Sequence, residues 1–233
     1  MTTLVQDIAA VRPATENLLA TASRLSDEDL GAPSLCEGWT RGHVLAHLSR
    51  NADAISRLVG WAVTGERVEM YPGGQAARDA EIEAGAFRGA GEQLADLTQS
   101  AEQLDARLSR LESGTAVDAV EGRGGFVIPS EDLPFMRLRE VVYHHVDLAA
   151  GYSFEDVDGD LLARFISDAV RRLSMSRHVP DLRLSTAEGD EWTLGKGSVT
   201  VTGPRAGMLL WLARRRADGV SAQGPLPELP RGA

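Results

Sequence analysis

The hydrophobic period of the chain changes at Gly151. Upstream, apolar residues recur at three- and four-residue intervals, as one buried helix face requires. Downstream, apolar and polar residues alternate in short runs. Leu4, Ile8, Val11, Leu18, Leu19 and Leu25 form the first helical stripe, in which Pro13 marks either a kink or a helix start. Thr40 is a good N-cap for a second helix, carried by Val44, Leu45, Leu48, Ile55, Leu58, Val59 and Ala62 and ended by Gly65. Residues 75–86 and 91–112 read as a short and a long helix, and EGRGGF at 121–126 reads as loop. Ser130, Glu131 and Asp132 place a cap and acids ahead of Pro134, opening a helix expected to reach Ala150, with Gly151 as its stop. A helix over about 157–176 then leads to DLRLSTA, EWTLG and SVTVTG, separated by turn residues and expected to form a short antiparallel sheet. A last helix runs from Pro204 to about Arg216. The expected fold class is α+β: a helical bundle over residues 1–153 and a small α/β domain over 154–233.

Composition removes several functions. The net charge of −10 disfavours nucleic acid and anionic membrane surfaces as partners. It leaves room for a small anionic ligand, because local arginines decide that; Lys196 is the only lysine. No stretch approaches the roughly 20 apolar residues of a membrane span. With Asp7 in place of a basic-then-apolar leader, a cytoplasmic location is expected. Cys36 is the only cysteine, so no internal disulfide forms.

REVVYHHVDL (139–148) places charged and metal-binding groups inside an apolar helix. At 100° per residue, Glu140, His144 and Asp147 share one face, with Arg137 one turn before, whereas His145 points about 100° away from His144. A carboxylate and an imidazole one turn apart can ligate one metal ion, and a third ligand must come from another helix. TRGHVLAHLSRNAD offers it: His47 sits mid-helix beside Val44 and Leu48, where an unpaired imidazole is costly. Two imidazoles and one carboxylate with open positions suit a catalytic zinc or another divalent ion. The same spacing also arises from a hydrogen-bonded i,i+4 pair and a satisfied core histidine. His145 and His43 read as surface or supporting groups, Asp147 as a support for His47 or His144, and Cys36 as an incidental loop cysteine.

LCEGWTRGHVLAHLSRNAD, MYPGGQAARDAEIEAG, MRLREVVYHHVDLAAG and LARRRADGV together resemble the mycothiol-dependent maleylpyruvate isomerases. The resemblance runs nearly the whole chain. It implies a DinB-like four-helix metal-binding bundle followed by a small α/β domain, with His47, Glu140 and His144 as zinc ligands. It also implies a functional arginine at Arg215, between Arg214 and Arg216, and a second near the substrate at Arg78. The implied activity is cis–trans isomerisation of maleylpyruvate to fumarylpyruvate, a step of gentisate-type aromatic degradation. Mycothiol would be the thiol cofactor, a small dicarboxylate the substrate and a monomer the working form. In the implied chemistry a thiolate, generated at the metal, adds to the conjugated double bond; rotation about the resulting single bond and elimination give the trans product. A metal-dependent mycothiol S-transferase on the same scaffold is the alternative. Arg215 is expected to meet the metal between the two domains.

Overall fold

A computed structural model describes residues 3–230. Chain contacts divide it into two compact units, the first ending at Ala150 and the second beginning at Gly151.

Four long helices make the first unit: α1 (Leu4–Ala22), α3 (Arg41–Thr64), α5 (Ala90–Leu111) and α6 (Leu133–Asp147). They pack in the ring α1, α5, α3, α6 around Leu18, Val44, Leu45, Leu48, Leu97 and Val141, all almost without exposed surface. A five-residue helix α2 (Asp27–Gly31) and α4 (Gly74–Ala86) complete the helical set. Start signals act as the sequence suggests. Thr40 caps α3 through its side chain, and Gly65 ends it in the left-handed conformation at φ 78°. Helix α1 begins at Leu4 under a Thr3–Gln6 capping box and continues through Pro13, which is exposed. Helices α3 and α4 approach closely at glycines: a Cβ on Gly42 would meet the Ala86 carbonyl oxygen, and one on Gly85 would lie 2.9 Å from Ala46 Cβ. That approach brings α4 within side-chain reach of the middle of α3.

Helix α6 stops at Asp147, three residues short of the expected Ala150. Its last carbonyl groups are taken by partners distant in sequence. Leu35 N–H donates to the Asp147 carbonyl, and Arg41 donates from Nε to Leu148 (2.6 Å) and from Nη2 to Ala149 (2.8 Å). These bonds satisfy carbonyls that a further helical turn would otherwise use, and Ala149 turns to φ 48°. The EGRGGF segment, expected as loop, is the tip of a two-stranded hairpin formed by β1 (Ala119–Glu121) and β2 (Val127–Pro129).

In the second unit, α7 (Gly159–Ser174) is capped by Asp158 and buries Leu162, Phe165, Ile166, Ala169 and Leu173. It is followed by β3 (Leu182–Thr186), β4 (Glu191–Leu194), β5 (Val199–Gly203), α8 (Arg205–Arg214) and β6 (Ser221–Ala222). The sheet order is β4-β3-β5-β6. The β3–β4 and β5–β6 pairs are antiparallel as expected, whereas β3 and β5 pair in parallel, so the sheet is mixed. Strand β4 is the return leg that makes this possible. It ends with Leu194 opposite Leu182, and β5 starts with Val199 opposite the same residue. The loop between them crosses about 9.6 Å, two strand spacings, through Gly195 and Gly197 at positive φ. Asp181 Oδ1 anchors it by accepting from Lys196 N–H at 2.7 Å. The fold class is α+β. No helix among the described residues is long and apolar enough to cross a membrane.

Candidate metal centre

Helices α3 and α6 bring His47, Glu140 and His144 together. His47 Nε2 lies 3.0 Å from Glu140 Oε2, and His144 Nε2 lies 3.6 Å from the same oxygen. One donor atom from each residue falls within 4.8 Å of the other two. Tetrahedral ligands at the usual zinc distance of about 2.0–2.1 Å lie about 3.3 Å from one another. The two measured separations bracket that value, so small side-chain shifts suffice for the three to hold a divalent ion. Both histidines offer Nε2 to the centre, and their rings meet edge to face at 4.6 Å.

Supporting contacts fix His144. Its Nδ1–H donates to Asp147 Oδ2 at 2.8 Å, which fixes the ring with Nε2 toward the centre. The same Asp147 oxygen accepts the Cys36 S–H at 3.2 Å, and Cys36 Sγ lies 3.9 Å from His144 Nδ1. Asp147 therefore supports His144, and Cys36 belongs to the circle behind that imidazole. The Cys36 contact is invisible in the sequence, because a hundred residues separate the two groups and only the fold joins them. Cys36, His144 and Asp147 form a second group with metal-ligating spacing. Within that group His144 Nδ1 and the thiol are both engaged by one carboxylate oxygen, which suits support better than ligation.

His47 is buried and meets Arg78 from α4, whose Nη2 lies 3.0 Å from His47 Nδ1. A guanidinium only donates, so this contact makes Nδ1 the acceptor and puts the imidazole proton on Nε2, facing Glu140. Arg78 is further held by Asp79 at 2.8 Å and lies over the Tyr71 ring, 5.5 Å from its centroid. Trp39 packs against the other side of His47 at 5.4 Å. Sequence spacing singles out neither Trp39 nor Tyr71, which sit on loops outside any helical period.

Charge at the centre follows burial and hydrogen bonding. Burial first, then the neighbouring His144, pushes the His47 pKa down to about 4, so this imidazole is neutral at pH 7 as a metal ligand must be. Burial alone would raise Glu140, but hydrogen bonds with His144 and His47 outweigh it and hold the carboxyl well below its usual value. Burial would likewise lower His144, and the hydrogen bonds to Asp147, Cys36 and Glu140 outweigh it, holding that imidazole well above its usual value. Arg137, fully buried one turn before Glu140, is pushed down to about 10 by burial. Its Nη1 donates to Leu48 O at 3.0 Å and Asn51 Oδ1 at 2.7 Å, tying α6 to α3 beneath the centre.

Two further histidines, read from the sequence as surface or supporting groups, are both buried. His145 is not a surface group: it is 2% exposed, with Nε2 2.8 Å from Thr21 Oγ1 on α1. His43 is also buried; it completes the Thr40 cap and reaches Glu83 on α4 at 3.1 Å. Arg215 belongs to the second unit, where it ends α8 in the left-handed conformation at φ 60°. Its guanidinium donates to the Leu212 and Pro230 carbonyl oxygens. Burial lowers its pKa. Arg216 pairs with Asp218 at 3.1 Å, and Arg214 Nη1 donates to the Ala213 carbonyl at 2.9 Å.

Comparison with known proteins matches residues 11–149 to a family model described as the mycothiol maleylpyruvate isomerase N-terminal domain. Two crystal structures are similar over nearly the whole chain. One is of the mycothiol-dependent maleylpyruvate isomerase, 30% identical, covering 99% of each chain with a TM-score of 0.88. The other is of a histidine-to-alanine mutant of that enzyme, 29% identical over the same extent and with the same TM-score. No curated protein matches the chain.

Proposed function

The chain belongs to the family of the mycothiol maleylpyruvate isomerase N-terminal domain, and from that premise we propose that it is a metal- and mycothiol-dependent isomerase converting maleylpyruvate to fumarylpyruvate. The observation that carries the reading is the meeting of His47, Glu140 and His144 across two helices of a family-matched bundle, with a guanidinium at their edge. The three side chains would hold a zinc or similar divalent ion. When bound, that ion lowers the pKa of a coordinating thiol, and the thiol cofactor supplies the nucleophile whose reversible addition makes the double bond rotatable.

The chain's own residues do the rest. Asp147 holds the His144 proton on Nδ1 and so turns Nε2 toward the ion, whose binding would displace the proton that the metal-free imidazole carries there. Glu140 contributes negative charge, and His47 binds as a neutral imidazole. An ion held at His47 Nε2 would leave the imidazole proton on Nδ1, opposite a guanidinium that only donates. The planar fork of Arg78 would then be available to a substrate carboxylate, for which it is shaped. Trp39 and Tyr71 wall the centre and reduce the water around a developing enolate. Arg215 is the second anion-binding arginine, and Arg214→Ala and Arg216→Ala are its controls. The partners are small molecules alone, in keeping with a net charge of −10, and the enzyme works as a cytoplasmic monomer within aromatic degradation.

The test is direct: metal-loaded protein with mycothiol and maleylpyruvate, following loss of the cis substrate and appearance of the trans product. Turnover that requires both thiol and metal supports the reading. Adduct formation with other electrophiles and no isomerisation replaces it with an S-transferase.

A further inference from the structure

A cavity of about 940 Å³ lies in the first unit, between the chain around residues 61–75 and the tip of the β1–β2 hairpin. It is outside the metal centre, and Tyr71 is the residue of the proposed chemistry that lines it. Four charged residues do, Arg67 and Arg123 against Glu69 and Glu121, so the lining carries no net charge. A dicarboxylate or a phosphate gains nothing from such a balance. A neutral ligand whose groups both donate and accept hydrogen bonds fits it, because guanidinium donors and carboxylate acceptors stand side by side. Arg67 donates to Glu121 at 2.8 Å and Arg123 to Gln75 at 2.9 Å, so these polar groups are already oriented.

Two further features suit a ring-shaped, hydroxyl-bearing ligand. Aromatic rings from Trp61 and Phe126 flank the cavity, and Phe126 is 75% exposed, so it adds little to the core. Such rings offer flat apolar surface to the non-polar faces of a sugar, as ligand cavities generally pair apolar walls with a few placed polar groups. Glycine pairs stand on both walls, Gly73–Gly74 and Gly124–Gly125, all at φ between 76° and 81°. At Gly74 a Cβ would meet nothing within 4 Å, so bare backbone faces open space there and a ligand can come close.

The cavity also adjoins the centre. Tyr71 lines it and at the same time stacks on Arg78, whose guanidinium touches His47. We infer that this cavity holds the sugar–cyclitol portion of the thiol cofactor, a neutral polyhydroxylated group, with the cysteine arm directed past Tyr71 toward His47, Glu140 and His144. This rests on the proposed function, which requires a thiol cofactor but does not say how its glycan is held.

The experiment compares two thiols on two proteins. Binding of mycothiol and of N-acetylcysteine, which has the thiol arm without the sugar, is measured by calorimetry on metal-loaded wild type and on a Phe126→Ala/Arg123→Ala variant. The variant is expected to bind mycothiol about tenfold more weakly and N-acetylcysteine within about twofold of wild type, as loss of a ring contact and a polar contact implies. An unchanged mycothiol affinity, or equal losses for both thiols, overturns the inference. Gln75→Ala, at an exposed position, gives the same comparison should the double variant melt early. The two readings fail separately. A sugar-dependent difference in a protein without isomerase activity keeps the cavity assignment and rejects the isomerase. An active isomerase whose KM for mycothiol is unaffected by the variant rejects the cavity assignment alone.

Discussion

Replacing Asp147 by Asn exchanges one oxygen for an amide nitrogen in a side chain with no exposed surface. The native carboxylate accepts from His144 Nδ1–H at 2.8 Å and from the Cys36 thiol at 3.2 Å, both on Oδ2. Asn can still accept through its carbonyl oxygen, but a neutral acceptor replaces a charged one. Hydrogen bonds to charged groups contribute about 1.5–3 kcal/mol and neutral ones about 0.5–1.5, so the orientation of His144 weakens by about 1–1.5 kcal/mol. That is about tenfold in metal affinity, at the lower end of the 10- to 100-fold range usual for partners of ligating histidines. The assay is competition for Zn²⁺ against a chromogenic chelator at pH 7, with circular dichroism to show that the bundle is intact. A folded Asp147→Asn protein that binds Zn²⁺ within about twofold of wild type would refute the claim that Asp147 presents His144 to the ion.

Other consequences can be checked with single substitutions. Cys36→Ala leaves the His144–Asp147 bond in place, so its zinc affinity stays within about threefold of wild type, far less than the loss expected on removing a ligand; a loss of a hundredfold or more would make the thiol a ligand. Gly42→Ala drives a methyl group into the Ala86 carbonyl and lowers stability by about 1–3 kcal/mol, the usual cost of overpacking, read from denaturant midpoints. In the second unit, Arg205 grips Asp190 through two bonds, at 2.6 and 2.9 Å, and holds its carboxyl below the ordinary carboxylate value. A depressed folded pKa stabilises above the unfolded value and loses that contribution as pH falls through the folded one. The melting difference between wild type and Asp190→Asn is therefore fully present at pH 7 and shrinks as pH drops below about 4; a difference that grows on acidification would contradict the pairing.

What the sequence discloses and what it withholds follow from the range of the interactions concerned. Thr40 and Gly65 bound α3 correctly because caps are local: a side-chain oxygen three residues from its N–H, and a backbone that only glycine adopts cheaply. The i, i+4 relation of Glu140 and His144 is local too, and the helical wheel separates His145 from His144. The wheel gives directions only. It does not reveal that α1 lies opposite His145 with Thr21 as a hydrogen-bond partner. The end of α6 depends on Arg41, about a hundred residues earlier, taking the carbonyls of Leu148 and Ala149. Nothing in MRLREVVYHHVDLAAG records that. Alternation identifies β3 and β5 as strands but is the same for parallel and antiparallel neighbours, so their parallel pairing has no local signal. Cys36 joins His144 and Asp147 only because Leu35 N–H bonds to the end of α6 and draws its loop there.

The most direct measurement is the metal content of purified wild type, His47→Ala and Glu140→Ala, prepared without chelator and quantified by plasma mass spectrometry. Three protein donors around one open position predict about one divalent ion per wild-type chain and less than about a tenth of that in either variant. A wild-type protein without stoichiometric metal, or a folded Glu140→Ala protein that keeps its ion, would contradict the metal centre and every step of the proposed chemistry that depends on it.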